Sequence, residues 1–232
     1  MAIAYIDYSA MEFMISAALS DGHLGPRNRM AEMYASGDPY LSFAKAVGAV
    51  PKDATKKSHE AVRDKYKNML LASLYGMTTG TLASRLGVSW IEGNEMLNQH
   101  HETFAEYWAW SDDFVQHALQ IGVMWTAMGW FCRTGITEFN ERSIRNWPVQ
   151  SAGADCLRIA CILAVRHGIR LLAPIHDAVL IEAPIDRRCR ADAGDHAAGL
   201  ADRAQQGPQP NVRTPHRLQN RPLSRQLQRP AR

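Results

Sequence analysis

The sequence predicts an α+β domain: an antiparallel sheet assembled from distant segments, with a helical subdomain inserted between them. Three observations carry this. Short apolar runs, AIAYIDY over 2–8 and IRLLAPIHDAVLIEA over 169–183, read as strands near both ends. The stretches between them, from 38 to 121, carry helix signals. The chain has 232 residues, 46% of them hydrophobic, enough for one domain with a large insertion.

Each element has its own signal. Residues 2–8 form a strand ending beside Asp7. Residues 9–20 form a helix with Ser9 as N-cap and Glu12 completing a capping box. Residues 21–29 form a loop. Asp38 caps a helix over 38–48, with Pro39 at its first position. Further helices cover 56–74, 78–86 and 92–121. Residues 123–140 form a hairpin that turns near Met128 and Gly129. An amphipathic helix over 149–167 closes at Gly168. Two strands within 169–183 meet at a tight turn at His176 and Asp177. Trp108, Trp110, Trp125, Trp130 and Trp147 read as core residues.

Composition excludes several classes. No run approaches 18 consecutive apolar residues, so no membrane-spanning helix and no membrane partner are expected. The N-terminus carries Asp7 and Glu12 and lacks the basic start of a signal peptide. Cys132, Cys156, Cys161 and Cys189 show no CxxC spacing and read as free thiols in a reducing, cytoplasmic setting. Residues 185–232 hold ten Arg and four Asp, a net of +6 against +3 for the whole chain, so the preceding residues are net acidic. This tail has no Phe, Trp, Tyr or Lys, and no acid from Ala204 onward. It is expected to be disordered. Two readings fit it: a basic arm that binds nucleic acid, or translation out of frame past Pro184.

The candidate chemistry begins with Asp7 and Asp177. Each ends or turns a strand, where a side chain can be aimed. Two carboxylates from separate strands suit two-metal phosphoryl transfer, and Mg²⁺ prefers such oxygen ligands. Singly, an Asp at a strand end is more often a turn former. Between them, Arg63 and Lys67 are four apart on one helix face, which Leu71 and Tyr75 extend. Such a face can grip a triphosphate and stack on a base. An ordinary solvated basic face leading into a core stripe has the same pattern.

Four segments in order then match one family. DYSAME from Asp7 to Glu12, Arg63-x3-Lys67-x7-Tyr75-Gly76, Ile175-His176-Asp177, and Asn146 to Asp155 (NWPVQSAGAD) together resemble the motifs of family A DNA polymerases. The resemblance covers about residues 2–184. It implies a palm from 1–21 and 123–184, helical fingers over 22–122, and a separate Arg/Pro/Gln-rich tail over 185–232. The thumb and any exonuclease domain are expected to be absent. The implied activity is DNA-directed DNA polymerisation in replication or repair, with primer–template DNA and deoxynucleoside triphosphates as partners.

The family's roles carry over by position. Asp7 and Asp177 would hold two Mg²⁺ ions, with the Tyr8 carbonyl as a further ligand. Arg63 and Lys67 would hold the triphosphate. Glu12, with Tyr75, would exclude a ribose 2′-hydroxyl. Arg142, Asn146, Gln150 and His176 would contact primer and template. Four residues depart from the family's pattern: Ala10 for Gln, Tyr40 for His, Leu71 for an aromatic, and Ala178 for a secondary Glu. The Leu71 change implies weaker nucleotide stacking. A competing reading is a truncated relic that binds DNA or nucleotide without turnover.

Overall fold

The computed structural model describes residues 2–126, 128–134 and 141–183. Strand β1 (Ala2–Asp7) leads into a run of helices: α1 (Met11–Leu19), α2 (Arg29–Ala35), α3 (Pro39–Ala46), α4 (Glu60–Leu74), α5 (Thr79–Leu86), α6 (Trp90–Thr103) and α7 (Ala105–Ile121). The chain continues through β2 (Val123–Trp125), β3 (Phe131–Arg133), α8 (Glu141–Arg166), β4 (Arg170–Ile175) and β5 (Ala178–Ala183). The main sheet has the order β1-β5-β4, all antiparallel, and β2 pairs with β3 separately. Helix and sheet are mixed as expected, and the first and last described strands are hydrogen-bonded neighbours. Pro174 lies in β4, an edge strand, where its missing N–H costs no ladder bond.

Most of the core lies in the helical insertion. Phe13, Phe43, Phe104, Met69, Leu70 and Leu82 are fully buried in one cluster. The Phe43 and Phe13 rings lie 5.3 and 5.6 Å from that of Phe104. A smaller cluster of Val115, Ala118, Met124 and Ile144 seats the β2–β3 hairpin. A third, of Met11, Ile15 and Val149, joins α1 to α8.

Several expectations need correction. Ser9 does not cap α1; Ala10 occupies the cap position with φ 47° and no side-chain cap bond. The capping box fails because the Glu12 side chain is engaged elsewhere, with Tyr75 and Gln150. An extra helix, α2, starts from Asn28, whose Oδ1 accepts the Ala31 N–H at 3.0 Å. The helix over 92–121 is broken at Phe104 (φ −116°, ψ 42°), whose ring is buried against His100. The helix expected from 149 begins at Glu141 and runs through Pro148. Arg145 holds these extra turns through Asp112 at 2.7 Å and Glu141 and Ser111 at 2.8 Å. Trp125 and Trp130 are not core: both are 57% exposed. The Asp38 cap on α3 is present, at 3.1 Å to the Leu41 N–H.

Helix α8 is long and apolar enough to cross a membrane by length and composition, with a mean hydropathy of 1.3 over its most apolar stretch. That stretch contains the ion-paired Asp155 and Arg158, and ionised groups are costly at a bilayer centre. Cys132, Cys156 and Cys161 are free thiols. Residues 135–140 of the expected hairpin, Cys189 and the tail over 185–232 lie outside the described residues.

His100 is fully buried, and its Nδ1 accepts the Trp108 indole N–H at 3.1 Å. Burial, reinforced by the neighbouring His101, pushes it down to about 3. It therefore stays neutral in the fold while the unfolded chain takes up a proton below its ordinary 6.5. Stability from this site is complete above pH 6.5 and falls as pH drops from there toward 3, by roughly 1.4 kcal/mol per pH unit. Thermal melts at pH 7 and pH 5.5 should show a smaller acid-induced drop in Tm for His100→Gln than for the unaltered chain. In the same core, Phe43→Ala should cost about 3–5 kcal/mol in a denaturant titration.

Candidate active site

The register of β1 on β5 sets the site. Asp7 pairs with Ala178, so the end of β1 lies beside the turn that carries Asp177. The Tyr8 N–H donates to the Asp177 carbonyl at 3.2 Å and extends the ladder past the strand end. The two carboxyl groups meet there. Partial burial, then the charge and hydrogen bonding of Asp177, raise the Asp7 carboxyl above its ordinary value, and the Lys67 charge opposes the rise. Ala178, which stands in place of a secondary Glu, is completely buried.

Two backbone strains flank the pair. His176 has φ 58° at the first position of the two-residue turn between β4 and β5, a place that favours glycine. Ala10, three residues after Asp7, is also left-handed. They are the only non-glycine residues with positive φ among the described residues. Such outliers persist where the surrounding structure enforces them, and they cluster at functional sites.

A second group stands alongside. The Tyr75 hydroxyl donates to Glu12 Oε1. The Gln150 amide donates to the same oxygen at 2.8 Å and contacts the Tyr75 hydroxyl at 3.1 Å. Asn146 Nδ2 donates to the Tyr75 carbonyl at 3.3 Å. With Leu74, Tyr107 and Val149 these residues line one cleft. Burial first, and the Glu12 carboxylate next, push the Tyr75 phenol up. Asp177 adds to that rise, so the two groups share one electrostatic field.

The cations are arranged unequally. Lys67 is exposed and acts on Asp7. Arg63 is turned to Asp38 at 2.6 Å and Asp64 at 3.0 Å, over the Tyr40 ring. Leu71 is half-buried on α4, and His176 is exposed at its turn. Arg142 is exposed on α8, its stem packed over Gly76: a Cβ there would lie 3.2 Å from Arg142 Cγ. Gly76 also has φ 67°, a conformation that favours glycine. The structure thus brings together Asp7, Tyr8, Asp177 and Lys67, and beside them Glu12, Tyr75, Asn146 and Gln150. Sequence reasoning treated Asp38 only as a helix cap and Tyr40 only as a departure. Arg63, Lys67 and the Asp38-Pro39-Tyr40 start of α3 lie too far apart in sequence for periodicity to link them.

Among the described residues no three His, Cys, Asp or Glu side chains form a metal-binding cluster. Two adjoining carboxylates still suit Mg²⁺, which takes few protein ligands and keeps waters and substrate phosphates. Burial and then the Asp177 charge raise the Asp7 carboxyl, and a dication beside the pair would oppose that rise.

The fold is that of a polymerase domain. The model of the DNA polymerase family A matches residues 1–194. Thermostable DNA polymerase I of Thermus aquaticus is 25% identical over 194 residues, covering 78% of this chain and 22% of that protein. DNA polymerase I of Bacillus subtilis strain 168 is 28% identical over 193 residues, covering 77% and 21%. The solved POL domain of Pol1 from M. smegmatis, in complex with DNA primer-template and dNTP, shares the fold with a TM-score of 0.65 at 23% identity, covering 87% of this chain and 36% of that chain. The chain belongs to DNA polymerase family A. It spans about a fifth of the length of these curated relatives.

The Glu12–Tyr75 contact is open to direct test. Ultraviolet difference titration against Tyr75→Phe isolates the Tyr75 phenol, which should ionise above its ordinary 10.0. In Glu12→Gln it should move down, but only part of the way, because burial is the larger cause.

Proposed function

We propose that this chain carries the palm and fingers of a DNA-directed DNA polymerase and adds deoxynucleotides to a primer 3′-hydroxyl. The observation that carries the reading is the meeting of Asp7 and Asp177 across β1 and β5, with Lys67 and the Glu12–Tyr75–Gln150 group beside them. The palm comprises residues 1–21 and 123–184, and the fingers 22–122.

Asp7, Asp177 and the Tyr8 carbonyl would hold two Mg²⁺ ions, which supply activation of the primer hydroxyl and neutralisation of the triphosphate charge. The remaining work falls to the chain's own groups. Lys67 and Arg63 bind the triphosphate and stabilise the charge that shifts onto the leaving pyrophosphate. Glu12, fixed by Tyr75 and Gln150, closes the space that a ribose 2′-hydroxyl needs. A rigid gate excludes by steric conflict and by leaving a polar group unpaired. Asn146 and Gln150 tie α8 to the end of α4, and with Arg142 and His176 they face primer and template. The partners of this reading are primer–template DNA and deoxynucleoside triphosphates.

Primer extension with the full chain and Mg²⁺ tests the proposal. Incorporation should stop on chelation with EDTA and fall at least about 100-fold in Asp177→Asn or Asp7→Asn, the scale of losing one key electrostatic group. Extension unchanged in Asp177→Asn would sink the two-metal assignment. Binding of primer–template without extension favours a module that holds DNA without turnover, a reading consistent with the buried Ala178. Leu71→Phe should strengthen nucleotide stacking and so lower KM for the incoming nucleotide.

A further inference from the structure

Asp38 makes two bonds at the start of α3. Its Oδ1 accepts the Leu41 N–H at 3.1 Å, which caps the helix. Its Oδ2 accepts from Arg63 Nε at 2.6 Å. Capping alone needs one oxygen, and Ser or Asn supplies it as well. Holding a guanidinium at the same time needs the second. The contact draws Arg63 inward, leaving its side chain 14% exposed and that of Asp38 25% exposed.

The floor of this cradle comes from the same helix start. The Tyr40 ring lies 5.3 Å from Arg63 Cζ and 5.9 Å from Lys67 Nζ. Tyr40 is buried and packs edge-on against Phe13, so the ring is held in place. One aromatic ring thus lies under two of the cations of α4, Arg63 and Lys67. Arg63 Nη1 reaches the exposed Asp64 at 3.0 Å.

We propose that Asp38 is a positioning residue for Arg63 in triphosphate binding, with Tyr40 as the shared floor beneath Arg63 and Lys67. The proposal rests on the polymerase reading above. Charge alone argues against a carboxylate here, since Asp38 offsets part of the pull of Arg63 on a polyanion. Removing it should then tighten binding. Positioning predicts the opposite sign. An arginine released from its clamp loses more rotamer freedom on binding and samples unproductive geometries.

The test uses Asp38→Ser in the full chain, because Ser keeps the α3 cap and deletes the clamp. Binding of a fluorescent 2′-deoxyadenosine triphosphate with Mg²⁺ is followed by anisotropy. Positioning predicts binding weaker by about tenfold, with Tm unchanged. Asp64→Ser removes the exposed partner and should leave binding as it is. In ¹⁵N spectra recorded without nucleotide, the Arg63 Nε–H should exchange slowly in the unaltered chain and in Asp64→Ser, and lose that protection in Asp38→Ser. Equal or tighter binding by Asp38→Ser overturns the proposal and leaves the polymerase reading intact. No binding by the unaltered chain overturns the polymerase reading, and the proposal with it.

Discussion

The site depends on the pairing of β1 with β5. These strands come from opposite ends of the described chain, and their register puts Asp7 against Ala178. A slip of one residue would turn every β1 side chain to the other face and carry Asp7 away from Asp177. The ladder therefore fixes chemistry as well as shape. It also works against an electrostatic penalty, because it forces two carboxylates together. Burial first, and that conflict next, raise the Asp7 carboxyl, and Lys67 partly offsets the rise. A cation between the aspartates would remove the conflict.

Helix α8 converts the strand pairing into a three-sided site. Its 26 residues span about 39 Å at the usual helical rise. At Gly153 it passes within van der Waals reach of Ile15 and Met11 on α1. One face therefore reaches both the segment after Asp7 and the end of α4. Asn146 and Gln150 use that reach to hold Tyr75 and Glu12. Arg145 secures the helix start to α7 through Asp112 and Ser111. Site geometry thus rests on long-range contacts among elements that are themselves regular.

Much of this was legible in the sequence. The terminal strands, the Asp38 cap and the Arg63/Lys67 face of α4 each follow from local rules of period and capping. The misread parts share another cause, which is tertiary contact overriding local preference. Ser9 has the right side chain for a cap. The chain leaving β1 nevertheless bends at Ala10, and Glu12 is drawn across to Tyr75 and Gln150. Phe104 breaks a helix that propensity would continue, as its ring enters the aromatic core. The helix expected from 149 starts earlier, at Glu141, because the Arg145 ion pairs sustain the turns before Pro148. The exposure of Trp125 and Trp130 could not be foreseen from composition, since it depends on how the hairpin seats Met124 against Val115, Ala118 and Ile144. The second bond of Asp38 was hidden for the same reason: its partner is 25 residues away.

The unfavourable features are gathered in one place. The left-handed Ala10 and His176 cost of order 1–3 kcal/mol each, and the paired aspartates add repulsion. All four lie at strand ends and turns, and of them Ala10 packs against the large aromatic cluster of the helical layer. There, Phe13, Phe43 and Phe104 supply apolar burial that is worth about 1.5–3 kcal/mol for each side chain. Stability and chemistry are thus provided by different layers. Phe13 links them, because it belongs to that core and sits one residue after Glu12 on α1. A helix anchored by Phe13 holds Glu12 against Tyr75 and Gln150. The rigidity that the proposed gate role of Glu12 needs is inherited from the hydrophobic core that holds Phe13.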